Sequence, residues 1–200
     1  MPDRTIPFYN LILKCASYSP QNVCLPDGFS IVPYKEGFEK GWAKSEYDIG
    51  DFSSAEQAER YFADTYMKNV AELRENGFFL LNGRNEIVGS CLAWHDLRNG
   101  KNVSSLHWLI VDEKYQGLGL GKALCRHVMN EYAKRDRLPV YIHTQPWSWK
   151  AVLLYLSLGF RIQKTDTFAN YVNQYEQAVS TLKTVLNDEM FERVIQQMEE

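Results

Sequence analysis

Twelve residues constrain this chain more than any other stretch. Lys114–Cys125 reads KYQGLGLGKALC and sets Gly117, Gly119 and Gly121 at alternate positions, behind the strand-like run LHWLIV (Leu106–Val111) and ahead of a helix-like run. Glycine so dense at a strand-to-helix junction marks a backbone that must come close to something or turn where a side chain forbids it. A helix starting behind such a turn presents N–H groups without acceptors and the positive end of its dipole, which together form an anion site. Three phosphate-binding patterns are testable. The pattern GxxxxGK[ST] fails, because only three residues separate Gly117 from Gly121 and Lys122 is followed by Ala123. The pattern GxGxxG fails as well, because it needs glycine at Lys122 and the insert DEKYQ delays the turn. Gln116, Gly117, Gly119 and Gly121 do fit a third, Q-G-x-G-x-G/A directly behind a strand.

Periodicity places these residues in an α/β chain. Strands are predicted over Tyr9–Cys15 and Phe29–Lys35, with a turn at Pro26–Gly28. A helix follows over about Glu36–Tyr47. A second, long helix is expected from a cap at Ser53 or Ser54, with Glu56 as capping partner, to about Glu75. Ala58, Phe62, Tyr66, Val70 and Leu73 form its apolar stripe. The Asn-Gly turn in NGRN (Asn82–Asn85) joins GFFLL to EIVGSCLAWHD as a hairpin, and RNGKN joins the latter to VSSLHWLIV. A helix to about Arg135, a strand over Pro139–Thr144, a helix ending at Gly159, and the strand FRIQK complete the middle of the chain.

A second motif accompanies the glycine turn. In SWKAVLLYLSLGF (Ser148–Phe160), Ala151, Leu154, Tyr155, Gly159 and Phe160 match N-x-x-A-x-x-L-Y-x-x-x-G-F, with Ser148 where asparagine is usual. The two motifs, in this order and spacing, resemble the GNAT superfamily of N-acetyltransferases over roughly Phe29–Lys164. The resemblance implies a mixed, mostly antiparallel central sheet flanked by helices. It divides the chain into an N-terminal strand extension (1–28), an acetyltransferase domain (29–165) and a C-terminal helical extension (166–200). The extension departs from the family, whose sheet usually closes with a seventh strand. Here Tyr175, Val179, Leu182, Leu186, Met190, Val194 and Met198 form a helical stripe. Either a short strand lies within Asp166–Tyr171 or helices replace it, and the stripe must bury against the sheet or against a second copy in a homodimer.

The implied chemistry is transfer of an acetyl group from acetyl-CoA, as co-substrate, to a primary amine in a ternary complex, with no metal. In the family the pyrophosphate is held by backbone around the glycine turn, here Gln116, Gly117, Leu118, Gly119, Leu120, Gly121, Lys122 and Ala123. The pantetheine amides pair with the strand before it, here Trp108, Leu109, Ile110 and Val111, and with the second motif through Ser148, Ala151 and Tyr155. Tyr155 stands at the family's tyrosine position as proton donor to the departing thiolate, a task within a phenol's range. Its residue type equally suits a core aromatic.

For the base, His107 is the first candidate, since imidazole titrates nearest neutrality. The arylalkylamine N-acetyltransferase branch is similar in carrying L-H-x-L-x-V where this chain has LHWLIV. Strand alternation predicts His107, Leu109 and Val111 on one face, opposite Trp108 and Ile110. A hydrogen-bonded strand histidine with no catalytic part is the alternative. His95 and Asp96 come second, His143 is placed by its strand alone, and His127 reads as a surface residue.

The acceptor is the least legible part. Between Glu46 and Glu75, in the segment that walls the acceptor groove in the family, eight acidic residues face three basic ones. That leans toward a cationic amine, or is simply a solvated helix face. Trp147 and Trp149 are candidates to line the pocket, and equally to pack the sheet. Net charge −3 and pI near 5.9 argue against nucleic acid as partner. The absence of an apolar run of about 20 residues argues against a membrane span. Cys15, Cys24, Cys91 and Cys125 lack CxxC spacing and read as reduced thiols of a cytoplasmic protein. The other reading of the same fold is a non-catalytic acyl-CoA sensor or interaction module.

Overall fold

A computed structural model describes residues 3–199. Its contacts gather into two units, and the chain passes from one to the other within β4 (Ile87–Arg98), β5 (Lys101–Val111) and α4 (Leu120–Lys134). The architecture is α/β, with a mixed, mostly antiparallel sheet flanked by helices. Among the described residues no helix is long and apolar enough to cross a membrane.

The loop unit comprises Pro20–Trp94 and Leu106–Glu131. The strand β2 (Ser30–Pro33) pairs antiparallel with β3 (Gly77–Leu81), and β3 with β4 in the register Phe78↔Cys91. The hairpin turn forms because Asn82 Oδ1 accepts from the backbone N–H groups of Arg84 (2.9 Å) and Glu86 (3.1 Å), while Asn85 takes φ 60°. Between β2 and β3 run α1 (Phe38–Asp48) and α2 (Ala55–Thr65), whose inner faces bury Trp42, Ala43, Ala58 and Phe62 with Tyr34, Tyr66, Leu73, Phe79 and Leu92. Each large side chain so buried contributes about 1.5–3 kcal/mol.

The long helix expected to Glu75 is broken. A 3-10 turn over Met67–Asn69 follows α2, and Asn69 then caps a separate α3 (Val70–Asn76) by accepting from Glu72 N–H at 3.2 Å. Asparagine competes for backbone donors in this way, so it starts a helix where the apolar stripe alone predicts continuation. The cap of α2 is Ser54, as expected: its Oγ accepts from Gln57 N–H (3.2 Å), Gln57 Oε1 accepts from Ser53 N–H (3.0 Å), and Glu56 bonds the Ser54 hydroxyl.

The terminal unit comprises the chain through Ser19, His95–Ser105 and residues from Tyr132 on. The strand β1 (Leu11–Cys15) lies between β6 (Val140–Thr144) and β7 (Arg161–Gln163), antiparallel to both, and β6 runs parallel to β5. Both faces of β1 are covered, with Leu11, Ile12, Leu13 and Cys15 all buried, which explains why it reads LILKC, nearly all apolar, rather than alternating. The helix α5 (Trp149–Leu156) joins β6 to β7. No strand forms over 166–171. Asp166 is instead a polar node: its Oδ1 accepts from Arg98 Nε (3.0 Å) and Nη2 (2.6 Å), and its Oδ2 from Tyr141 Oη (3.0 Å). The helices α6 (Tyr175–Val185) and α7 (Asp188–Ile195) follow, and β8 (Met198–Glu199) pairs in parallel with β7. Of the expected stripe, Leu182, Leu186 and Val194 are buried and Tyr175, Val179, Met190 and Met198 half-buried, while Ala178, outside it, is buried as well.

Candidate active site

In the loop unit, β5 ends at Val111 and a 3-10 turn over Glu113–Tyr115 follows, fixed by Asp112 Oδ1 accepting from Lys114 N–H at 3.0 Å. Gln116 folds back so that its Nε2 donates to the Val111 carbonyl at 3.0 Å, tying the turn to the strand end. Gly117 and Gly119 then take φ 83° and 77°, a left-handed backbone that side chains resist by about 1–2 kcal/mol. A Cβ at either position would meet no atom within 4 Å, so handedness, and not crowding by this chain, demands glycine there. Gly117, Leu118 and Gly119 are exposed, while Leu120, Ala123 and Leu124 are buried and anchor α4 beneath them. The Gly119 carbonyl accepts from Ala123 N–H at 3.0 Å. Leu120, Gly121 and Lys122 therefore stand in the first turn of α4, where N–H groups lack acceptors within the helix.

The strand before the turn departs from simple alternation. Trp108 takes φ 51°, a left-handed residue inside β5, and this bend turns consecutive side chains to one side. His107 lies against Tyr66 at the α2 end and Trp108 against α1 and α2, contrary to the opposite faces predicted for them. The Trp108 ring contacts Trp42 (5.4 Å between centroids), Tyr61 (5.5 Å) and Phe52 (5.7 Å). His107 Nδ1 lies 2.8 Å from the hydroxyl of Tyr66. Ser90 Oγ donates to the Trp108 carbonyl at 3.3 Å, across to β4. Beyond the bend, Ile110 is buried and Leu109 and Val111 are half-buried. The close approach of the two strands here needs Gly89, since a Cβ there would stand 2.6 Å from the Ile110 carbonyl oxygen.

One further group in this unit is unusual. Glu46, on the inner face of α1, is 1% exposed, and its carboxyl faces the side chain of Asp51. Burial, followed by the charge of Asp51, pushes its pKa well above the usual carboxylate range. Trp42 Nε1, one turn earlier, is buried without a partner. By contrast Glu39 accepts from Tyr34 Oη (2.7 Å) and Gly37 N–H (2.9 Å).

The remaining candidates have structural neighbours. His127 is half-buried with its ring 4.6 Å from that of Phe78, which corrects the surface reading. In the terminal unit, His143 Nε2 bonds Asn10 Oδ1 (2.8 Å) and its ring stacks on Tyr171 at 3.8 Å. His95 and Asp96 belong to that unit too, both half-buried. Trp147 packs against Phe8 at 4.9 Å with Arg4 over its ring at 4.6 Å.

The second motif also lies in the terminal unit. Ser148 occupies the N-cap position of α5, but its Oγ accepts from Gln145 Nε2 at 3.1 Å instead of capping the helix. Ala151 is half-buried, and Tyr155 is 5% exposed with its ring 5.9 Å from that of Phe160. Gly159, at φ 91°, ends the helix and lets Phe160 N–H donate to the Tyr155 carbonyl at 3.2 Å. The structure thus brings Gln116 onto the end of β5 and His107 onto Tyr66, each within the loop unit. It places Ser148, Ala151 and Tyr155 in the terminal unit. Among the described residues, no group of three or more His, Cys, Asp or Glu side chains is arranged to hold a metal ion.

A strand, an αL-glycine turn and a helix N-terminus in this order form an arrangement suited to an anion in an α/β protein. Comparison with known proteins gives the family. The acetyltransferase (GNAT) family model matches residues 41–160, and the chain belongs to that family. It is 29% identical over 99 residues to mycothiol acetyltransferase from Amycolatopsis mediterranei, a match covering 46% of this chain and 32% of that protein. It is also 29% identical over 103 residues to N-acetyltransferase 8B from Rattus norvegicus, covering 50% of this chain and 46% of the relative. The chain therefore aligns with less than half the length of either protein. Among solved structures it resembles a GCN5-related N-acetyltransferase from Sphaerobacter thermophilus, with TM-score 0.55 and 19% identity over 78% of this chain and 49% of that one.

Proposed function

We propose that this protein is an N-acetyltransferase using acetyl-CoA as co-substrate and a primary amine as acceptor. The observation that carries the reading is the turn itself: two left-handed, exposed glycines with open space where their side chains would be, set at the N-terminus of α4. Such a backbone suits a pyrophosphate, which the N–H groups from Gly117 to Ala123 would hold and Gln116 would brace through Val111. Acetyl-CoA supplies a thioester whose carbonyl an amine attacks directly, expelling the thiolate.

The chain's residues bind, orient and move protons around that exchange. Backbone groups of Leu109, Ile110 and Val111 pair with the pantetheine amides, and Ser148 and Ala151 contribute from the second motif. His107 takes a proton from the substrate ammonium so that the neutral amine can attack, and Tyr155 donates its phenolic proton to the leaving sulfur. Calorimetric titration with acetyl-CoA, CoA and ATP tests the reading. Acetyl-CoA and CoA should bind with Kd on the order of micromolar and ATP should not. Gly119→Glu should abolish binding through strain and charge. Failure of the native protein to bind either CoA species, or full binding by Gly119→Glu, would remove the assignment.

A further inference from the structure

We infer that Lys122 and Arg126 form a subsite for the 3′-phosphate of acetyl-CoA, and that Arg126 makes this protein distinguish CoA from its dephospho form. This rests on the reading of the glycine turn as the pyrophosphate site. The two cations lie one turn apart on the same face of α4, with Asn130 one turn further on. The inner face of the helix, through Leu120, Leu124 and Val128, is buried. The outer row is half-buried, and the chain at Gln21 and Asn22 lies against it. Asn130 Oδ1 accepts from Gln21 N–H at 2.9 Å and Asn130 Nδ2 donates to the Gln21 carbonyl at 2.8 Å. Arg126 Nη1 donates to the Asn22 carbonyl at 3.4 Å.

Arg126 is therefore held before any ligand arrives. Its Nε is buried, so the side-chain stem is covered, and the bond to Asn22 fixes one arm of the guanidinium. Among the described residues neither Arg126 nor Lys122 is paired with a carboxylate. Two cations kept one turn apart without a counter-charge favour an anion that can face both. A phosphomonoester is nearly doubly charged at neutral pH, and a guanidinium suits its oxygens. The spacing agrees with the covalent structure of CoA. One ribose separates its diphosphate from its 3′-phosphate, so the second must be met within about one to two helix turns of the first, roughly 5–11 Å. Lys122 stands in the first turn of α4, beside the N–H groups assigned to the diphosphate. Arg126 follows about 6 Å further along the axis.

Calorimetric titration of the full chain with CoA and with dephospho-CoA tests the subsite. The native protein should bind CoA about 5–30-fold more tightly than dephospho-CoA, as one charged hydrogen-bonded contact would give. In Arg126→Met, which keeps a long stem on α4, CoA should weaken nearly to the dephospho-CoA value while dephospho-CoA binds as before. That unchanged second value reports an intact fold and an intact glycine turn. Raising salt from about 50 to about 300 mM should narrow the native preference. Equal native affinity for the two ligands, a preference that survives Arg126→Met, or a variant that weakens both ligands alike would overturn the inference. Equal affinity leaves acetyl-CoA standing as co-substrate, whereas a native protein that binds neither ligand ends both readings.

Discussion

Replacing Glu46 by glutamine should change how stability depends on pH, and the change can be worked out from its surroundings. The carboxyl is buried beside Asp51, and burial first, then the charge of Asp51 and a hydrogen bond to it, raise its pKa in the folded state. At a pH below the ordinary glutamate value of about 4.3, both folded and unfolded chains hold the proton and Glu46 contributes no slope. As pH rises, the unfolded chain releases that proton first. The folded state then binds one more proton than the unfolded, and stability falls by up to about 1.4 kcal/mol per pH unit. The fall stops where folded Glu46 itself ionises. Glutamine has the same shape and does not titrate, so the variant lacks this component while sharing every other titration. With a urea slope of about 2–3 kcal/mol/M, the midpoint of Glu46→Gln should gain roughly 0.5–0.7 M on the native protein per pH unit in that window. Urea unfolding at pH 4, 5, 6 and 7 measures it. Midpoints that run parallel from pH 4 to 7 would refute the claim that Glu46 keeps its proton when the protein is folded.

Two other perturbations have defined outcomes. Tyr155→Phe should lower kcat by about 10²–10⁴-fold with CoA affinity unchanged, as loss of a general acid would; full turnover would return Tyr155 to the core. For Asp166, burial is the largest single influence and acts upward, but hydrogen bonds from Arg98 and Tyr141 hold its pKa below the ordinary value. Its stabilisation is therefore present above about pH 3.9, the unfolded value, and is lost as pH falls through the folded one. Asp166→Asn should destabilise the protein by about 1–2 kcal/mol at pH 7 and by less in acid, as thermal unfolding at the two pH values would show.

How much of this was legible in the sequence depended on how far apart the interacting residues lie. The glycine turn, the Asn82 and Asn99–Gly100 hairpins and the Gly159 helix end are local devices, written within a few residues, and each forms where expected. The bend at Trp108 was hidden, because a tryptophan in a strand gives no sign of a left-handed backbone. What holds it there is the company of Trp42, Phe52 and Tyr61 on other elements. Tyr66 was visible as one apolar position in a stripe, yet its hydroxyl partner lies 41 positions away. Glu46 looked like part of an acidic helix surface. Only the fold shows that it faces inward with Trp42 and Ala43. Ala123 and Ser148 lie within recognisable motifs, but their neighbours became apparent only in three dimensions.

The position of β1 also has a cost in time. Its register joins Leu11 to Thr144 and Leu13 to Ile162, so the first strand made bonds only with strands made more than a hundred residues later. At about 5–20 residues per second, the 133 positions from Leu11 to Thr144 take roughly 7–27 s to synthesise. For that interval LILKC is an apolar segment with both edges open, the kind of segment that chaperones bind and that aggregates when they do not. The ribosome, more than the finished sheet, sets the period in which this protein is most vulnerable.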